Sequence, residues 1–293
     1  DFEIKSFWNK QTEQDISNIV YNFVDYLVEI STIVGDYNYK RHRYLISDLS
    51  DMAKKAYAEG KEAFGNTILK VTEKLLAHLK EFTIFSFNGG GYDLPILTSS
   101  GLFHYLRKLD GPDLTVMRDK AAMRYLQIKT KRLRFVDLMK LIGPSGSLST
   151  CLANFGVKEM SLAQIHENRE LRKRDIRNSG GKLLFAYSKA TSYKALRTHE
   201  PFEYDDFNSL LSGDNLLSPN HARFCALLKE GLTEEGACKV MKIKQPPEDP
   251  HKVLQMINDI KSRLGICNAR YYQLYCETDC LSTLQLAEKL IGA

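Results

Sequence analysis

Two acids and a phenol stand out by type and spacing. Asp93 follows a strand-like run, an Asn and three glycines, in Phe82-Thr-Ile-Phe-Ser-Phe-Asn-Gly-Gly-Gly-Tyr-Asp93. Tyr275 and Asp279 stand four apart, a spacing that stacks them on one face of a helix. A carboxylate can hold a divalent cation, and a phenol hydroxyl beside it can position a water for attack on a phosphate. Each group also has a plainer reading. Asp93 suits a helix N-cap and Asn88 a turn, both for backbone hydrogen bonding alone. Tyr275 and Asp279 suit a surface pair that contributes little.

The elements that must carry these groups are legible in outline. Phe82–Phe87 is aromatic and β-branched, which predicts a strand buried on both faces. The glycines predict a sharp turn or a close backbone approach. Leu94, Leu97, Leu102, Tyr105 and Leu106 then predict one helix over 94–106. Arg134-Phe-Val-Asp-Leu-Met139 reads as a second strand containing Asp137, and Ser147–Phe155 as a short helix stopped by Gly156. Residues 66–156 thus run α-β-α-β-α, the alternation of an α/β domain.

Upstream, residues 1–65 read as a helical segment. A capping-box pattern at Thr12–Asp15 opens an apolar stripe from Ile16 to Ile30, and Gly35 with Asp36–Arg43 breaks it. Helices over Ser47–Ala58 and Asn66–Leu79 follow, the latter capped by Asn66. Residues 157–250 read as a mainly helical insertion with loops, ending in the stiff Pro246, Pro247 and Pro250. Residues 251–293 read as two helices that complete the core, the last over about 269–290.

Composition narrows the class. The chain has 293 residues, 43% hydrophobic and 26% charged, as in an ordinary globular protein. The net charge of +5 is mild for a nucleic-acid binder. Between Arg118 and Arg134, however, seven cations face the single acid Asp119. That strip, with Lys129, Lys131 and Arg132, reads either as a solvated face or as a phosphate-tracking track. The six cysteines form no CxxC and no zinc spacing, which suits reduced thiols in an intracellular protein. No apolar run reaches the ~18 residues of a membrane span. The scattered histidines read as surface or capping residues. A chain that starts at Asp1 without a Met reads as an excised piece of something longer.

Taken together, Asn88-x3-Tyr92-Asp93 after a strand and Tyr275-x3-Asp279 on a late helix resemble the second and third exonuclease motifs of the DEDDy-type 3′–5′ exonucleases of family B DNA polymerases. Between them the strand with Asp137 and the Ser147-Leu148 helix ending Asn154-Phe155-Gly156 fall where that family has similar elements. The protein-primed, viral and Maverick/Polinton mobile-element branch looks most similar, including over Leu184–Tyr193 and Glu200–Phe207. The resemblance covers roughly 66–156 and 250–293.

It implies a ribonuclease-H-like core whose carboxylates hold two Mg²⁺ or Mn²⁺ ions, and proofreading removal of nucleotides from a frayed 3′ end during DNA replication. Asp93 and Asp279 would be metal ligands and Tyr275 would orient the water. Asn88, Tyr92, Ser147 and Leu148 would touch the single-stranded 3′ end. Asp1-Phe-Glu3 has the Asp-x-Glu spelling of the first motif, so Asp1 and Glu3 would complete the ligand set, unless that motif lies upstream or is lost. The family's protein-primed members place a lysine after the Asp137-like strand. Here Ser149-Thr150-Cys151 stands there, with Lys140 and Lys158 as distant substitutes. The polymerase palm would lie C-terminal to Ala293. A catalytically inactive DNA-binding scaffold of the same fold and a free-standing nuclease are the other readings.

Overall fold

The computed structural model describes residues 16–119, 124–142, 147–179, 183–190, 192–208, 215–217 and 220–291. The chain forms a mixed α/β structure that divides into two compact units, one reaching to residue 146 and one beginning at Ser147. This differs from the expected divisions at 65/66, 156/157 and 250/251.

The first unit opens with helix α1 (Ile16–Ala58), one continuous element of 43 residues. The break expected at Gly35 and Asp36–Arg43 does not occur. A mid-helix glycine costs about 1 kcal/mol relative to alanine, and neighbouring contacts offset that. Gly35 is buried against the end of α2 (Glu62–Lys80), and Asn38 Nδ2 donates to the Leu79 carbonyl at 3.3 Å. Helix α2 begins before the expected Asn66 cap. Asn66 lies inside it and accepts a 2.8 Å hydrogen bond from the Tyr57 hydroxyl, while the Tyr57 ring lies against Gly65.

Strand β1 (Phe82–Ser86) follows, then α3 (Asp93–Ser99) and α4 (Leu102–Asp110), the strands β2 (Thr115–Asp119), β3 (Arg124–Lys129) and β4 (Leu133–Asp137), and α5 (Leu138–Ile142). The single helix expected over 94–106 is two helices, because Gly101 adopts φ 94° and ends the first at Ser100. The expected basic strip contains β3 and the end of β2, which its charges concealed. The sheet order is β1-β4-β3-β2, with β1 parallel to β4 and the other pairs antiparallel. Strand β1 is an outer strand among the described residues and half-buried throughout, so the two-sided burial expected for it is not found.

One face of the sheet buries Ile128, Leu133 and Phe135 against Val20, Val24 and Leu27 of α1 and Leu94, Leu102 and Leu106 of α3 and α4. Each such side chain contributes roughly 1.5–3 kcal/mol when fully buried. In β4 burial alternates, so Leu133, Phe135 and Asp137 all face inward.

The second unit is helical: α6 (Leu148–Asn154), α7 (Leu162–Glu167), α8 (Lys173–Ser179), α9 (Tyr193–Arg197), α10 (His221–Lys229), α11 (Glu234–Met241), α12 (Pro250–Arg263) and α13 (Asn268–Ile291), with 3₁₀ turns at Tyr187–Ala190 and Tyr204–Phe207. Thr233 caps α11 and Asp249 caps α12 through side-chain acceptors. Residues 157–250 share one core with the last two helices: Ile165, Ile176, Phe202 and Phe207 pack with Val253, Ile257, Tyr271 and Leu274. The anchor is aromatic, with Phe202 edge-on to Tyr271 at 5.0 Å. The insertion is therefore part of the body that holds α13. No disulfide joins the six cysteines, and no helix among the described residues is long and apolar enough to cross a membrane.

Candidate functional site

The glycine turn after β1 is built by close approach. Asn88 takes the left-handed conformation, φ 59°, and its carbonyl accepts from Gly91 N and Tyr92 N at 3.1 and 3.2 Å. Gly90 then lies flat against β3: its carbonyl accepts from Tyr125 N at 2.9 Å, and a Cβ there would sit 1.9 Å from the Tyr125 carbonyl oxygen. A Cβ on Gly89 would sit 2.1 Å from Ser86 Oγ. Both contacts exclude any side chain, so glycine is required at 89 and 90 by space.

The group that pins this turn is Asp137, only 1% exposed at the end of β4. Its carboxylate accepts from Asn88 N (2.9 Å), Gly90 N (3.0 Å) and Met139 N (3.1 Å). Sequence reading placed Asp137 in a strand but gave it no task. The signal was present in the alternation Leu133, Phe135, Asp137, which aims the acid inward.

Asp93 is the first residue of α3, and the N-cap is Tyr92, which makes no side-chain cap bond. The capping role considered for Asp93 is therefore absent. The residue is exposed as a whole, yet its carboxyl is crowded. Desolvation pushes its pKa above the usual aspartate range; its own backbone N–H pulls it back in part, and the Asp137 charge pushes it further up. Tyr92 is 56% exposed, leaving its ring face open to a stacking partner. Asn88 Oδ1 is buried without a hydrogen-bond partner, and a Cβ on Gly91 would abut both it and Arg124 Nε, at 3.1 and 3.3 Å.

In the second unit, α13 carries Tyr275 and Asp279 one turn apart, and the Tyr275 hydroxyl donates to the Asp279 carboxylate. The spacing argument anticipates this contact. The Tyr275 ring packs edge-on to Phe185 at 5.3 Å, and Phe185 also touches Tyr187 and Tyr272. Burial comes first in pushing the Tyr275 phenol far above its usual range, and the Asp279 charge and hydrogen bond follow. The phenol thus stays protonated and can donate. Phe185, missed as a site residue, lies in the segment Leu184–Tyr193 that carried part of the resemblance.

The expected nucleic-acid contacts have other engagements. Lys129 and Arg134 flank Glu81, the first as an ion pair and hydrogen bond, the second at 3.5 Å. Desolvation alone would raise the Glu81 pKa, but these two cations hold it below the usual range. Arg132 grips the buried Asp110 through Nε and its backbone N–H, both at 2.7 Å. Together these three cations tie the β3–β4 hairpin to the ends of α2 and α4. Lys131 at the hairpin tip is exposed. Ser147 caps α6, its hydroxyl accepting from Thr150 N at 3.3 Å, and Leu148 is half-buried. Asp1 and Glu3 lie outside the described residues.

Among the described residues no group of three or more His, Cys, Asp or Glu side chains could hold a metal ion. The carboxyl groups of Asp93 and Asp137 both lie near the glycine turn, and the Asp137 charge adds to the desolvation that raises the Asp93 pKa. No protein-family model, curated protein or solved structure matches the chain.

Proposed function

We propose that this chain is the 3′–5′ exonuclease region of a family B DNA polymerase, with a ribonuclease-H-like core, acting on a single-stranded 3′ end and serving a polymerase domain further along the same polypeptide. The observation that carries the reading is Asp93, an acid that caps no helix and whose carboxyl is pushed up beside Asp137 on a turn too tight for side chains. The Tyr275–Asp279 pair supports it. Asp93 and Asp279 would serve as ligands for Mg²⁺ or Mn²⁺, with Asp1 and Glu3 as further ligands. The metal would supply a lowered water pKa and charge stabilisation at the leaving oxygen. The protein's own part is positional. Tyr275, protonated and held by Phe185 and Asp279, orients a water by hydrogen bonding. Tyr92 offers a ring to the terminal base, and Asn88, four residues earlier, carries a buried Oδ1 acceptor with no partner of its own.

The test is degradation of 3′-labelled single-stranded DNA with Mg²⁺. Asp93→Asn and Asp279→Asn are each expected to lower the rate at least ~100-fold, and Tyr275→Phe about 10–100-fold. Cleavage that is metal-independent, or indifferent to both acid substitutions, rules the reading out. A second reading, a fold that holds DNA without cutting it, is favoured by Asp137: its three backbone donors stabilise the turn with no metal. Metal-independent binding with no degradation would select it.

A further inference from the structure

Lys129, Arg132 and Arg134 of the sheet and its hairpin are matched by acids, whereas the cations in the middle of α1 are not. Residues Tyr37 to Tyr44 read Tyr-Asn-Tyr-Lys-Arg-His-Arg-Tyr, with three cations and no acid; Asp36 precedes the stretch and Asp48 follows it. Among the described residues no carboxylate lies within ion-pair distance of Lys40, Arg41 or Arg43. All three are exposed.

The aromatic rings of the same stretch are equally open. Tyr37 is 62% exposed, Tyr39 47% and Tyr44 70%. Helical geometry puts Tyr37, Lys40, Arg41 and Tyr44 on one stripe, at i, i+3, i+4 and i+7. Tyr39 and Arg43, four apart, form the adjacent stripe. The Arg43 guanidinium stands 4.8 Å from the Tyr44 ring centroid and donates to its hydroxyl at 2.9 Å, which orders both groups.

We propose that this face of α1 binds single-stranded nucleic acid, the cations meeting phosphates and the tyrosine rings stacking on bases. Alternating rings and cations are the combination that holds an unpaired strand without sequence preference. A strand laid along the helix meets a ring about every 10 Å, the rise of seven residues, with Lys40 and Arg41 between. An anionic membrane surface would also attract the cations, but it favours a broad aliphatic face; exposed tyrosine rings between cations suit base stacking better. The site does not depend on the nuclease reading, since binding here needs no metal and no cleavage.

The test is fluorescence anisotropy of the whole chain with a labelled oligothymidylate of about 20 nucleotides, in chelator and over a range of salt. Lys40→Ala/Arg41→Ala/Arg43→Ala is expected to flatten the slope of log K against log salt by about 2, from three lost phosphate contacts. Tyr37→Ala/Tyr44→Ala is expected to weaken binding about tenfold or more with the slope unchanged, while Tyr37→Phe/Tyr44→Phe keeps the affinity. These positions are exposed, and circular dichroism checks that α1 survives. Affinity and slope unchanged in both alanine variants would overturn the proposal, as would wild-type adsorption to phosphatidylserine vesicles without oligonucleotide binding.

Discussion

Replacing Asp137 by alanine deprives three backbone N–H groups, those of Asn88, Gly90 and Met139, of their shared acceptor. Hydrogen bonds to a charged acceptor contribute roughly 1.5–3 kcal/mol each, so the gross loss is roughly 4.5–9 kcal/mol. Removing a buried carboxylate also recovers its desolvation cost of several kcal/mol. The expected net destabilisation is about 4 kcal/mol. Asparagine keeps one oxygen as acceptor but turns an amide N–H₂ toward a donor, so about 2 kcal/mol is expected there. With a urea slope of about 2 kcal/mol/M, the midpoint should fall by about 2 M for alanine and 1 M for asparagine. Because the chain has two compact units, the melt needs a local readout: hydrogen exchange on peptides covering 82–95 and 124–139 against those covering 250–291. An alanine variant within about 0.5 kcal/mol of the parent, with the Asn88 and Gly90 amides still protected, would show that something other than this carboxylate holds the turn.

Gly90→Ala must displace the Tyr125 carbonyl from 1.9 Å, so a loss of about 2–4 kcal/mol is expected, read as early exchange of the β3 amides. Asp93→Asn should stabilise the first unit near neutral pH. With the folded carboxyl raised above its ordinary 3.8, stability falls as pH rises from that value through the folded pKa; the variant should lose this slope, checked by melting temperature against pH. Glu81→Gln removes a carboxylate held below its usual pKa by Lys129 and Arg134. It should cost about 1 kcal/mol at neutral pH and less once acid has protonated the wild-type group, measured by urea melts at both pH values. Phe185→Ala should destabilise the second unit by about 3 kcal/mol and loosen Tyr275, seen as faster exchange of the α13 amides around it.

Where a signal is local, the chain announces its structure. The Ser147 start and Gly156 stop of α6 and the Tyr275–Asp279 spacing are matched by the structure. Where the deciding partner is far away, it does not. Lys129 and Arg132 look like a surface strip because their acids, Glu81 and Asp110, lie 48 and 22 residues off. Gly35 and the charges after it look like a helix break because the contacts that keep α1 continuous come from α2. The union of 157–250 with the last helices rests on pairs such as Phe202 and Tyr271, which no local period encodes. At the site, the glycines predict a tight turn, but the surfaces that forbid a side chain belong to Ser86 and β3.

The parallel pairing of β1 with β4, Phe82 opposite Leu133 through Ser86 opposite Asp137, also sets an order of assembly. Strands β2, β3 and β4 follow one another closely and can zip locally, whereas β1 must close a loop of about fifty residues, which is entropically slower. Until that closure, Asp137 has no turn to clasp and Asp93 no like charge to oppose it. The most chemically suggestive stretch of the first unit therefore takes its shape after the β3–β4 hairpin. Pulse-labelled amides at 88–90 should gain protection after those of the β3–β4 hairpin.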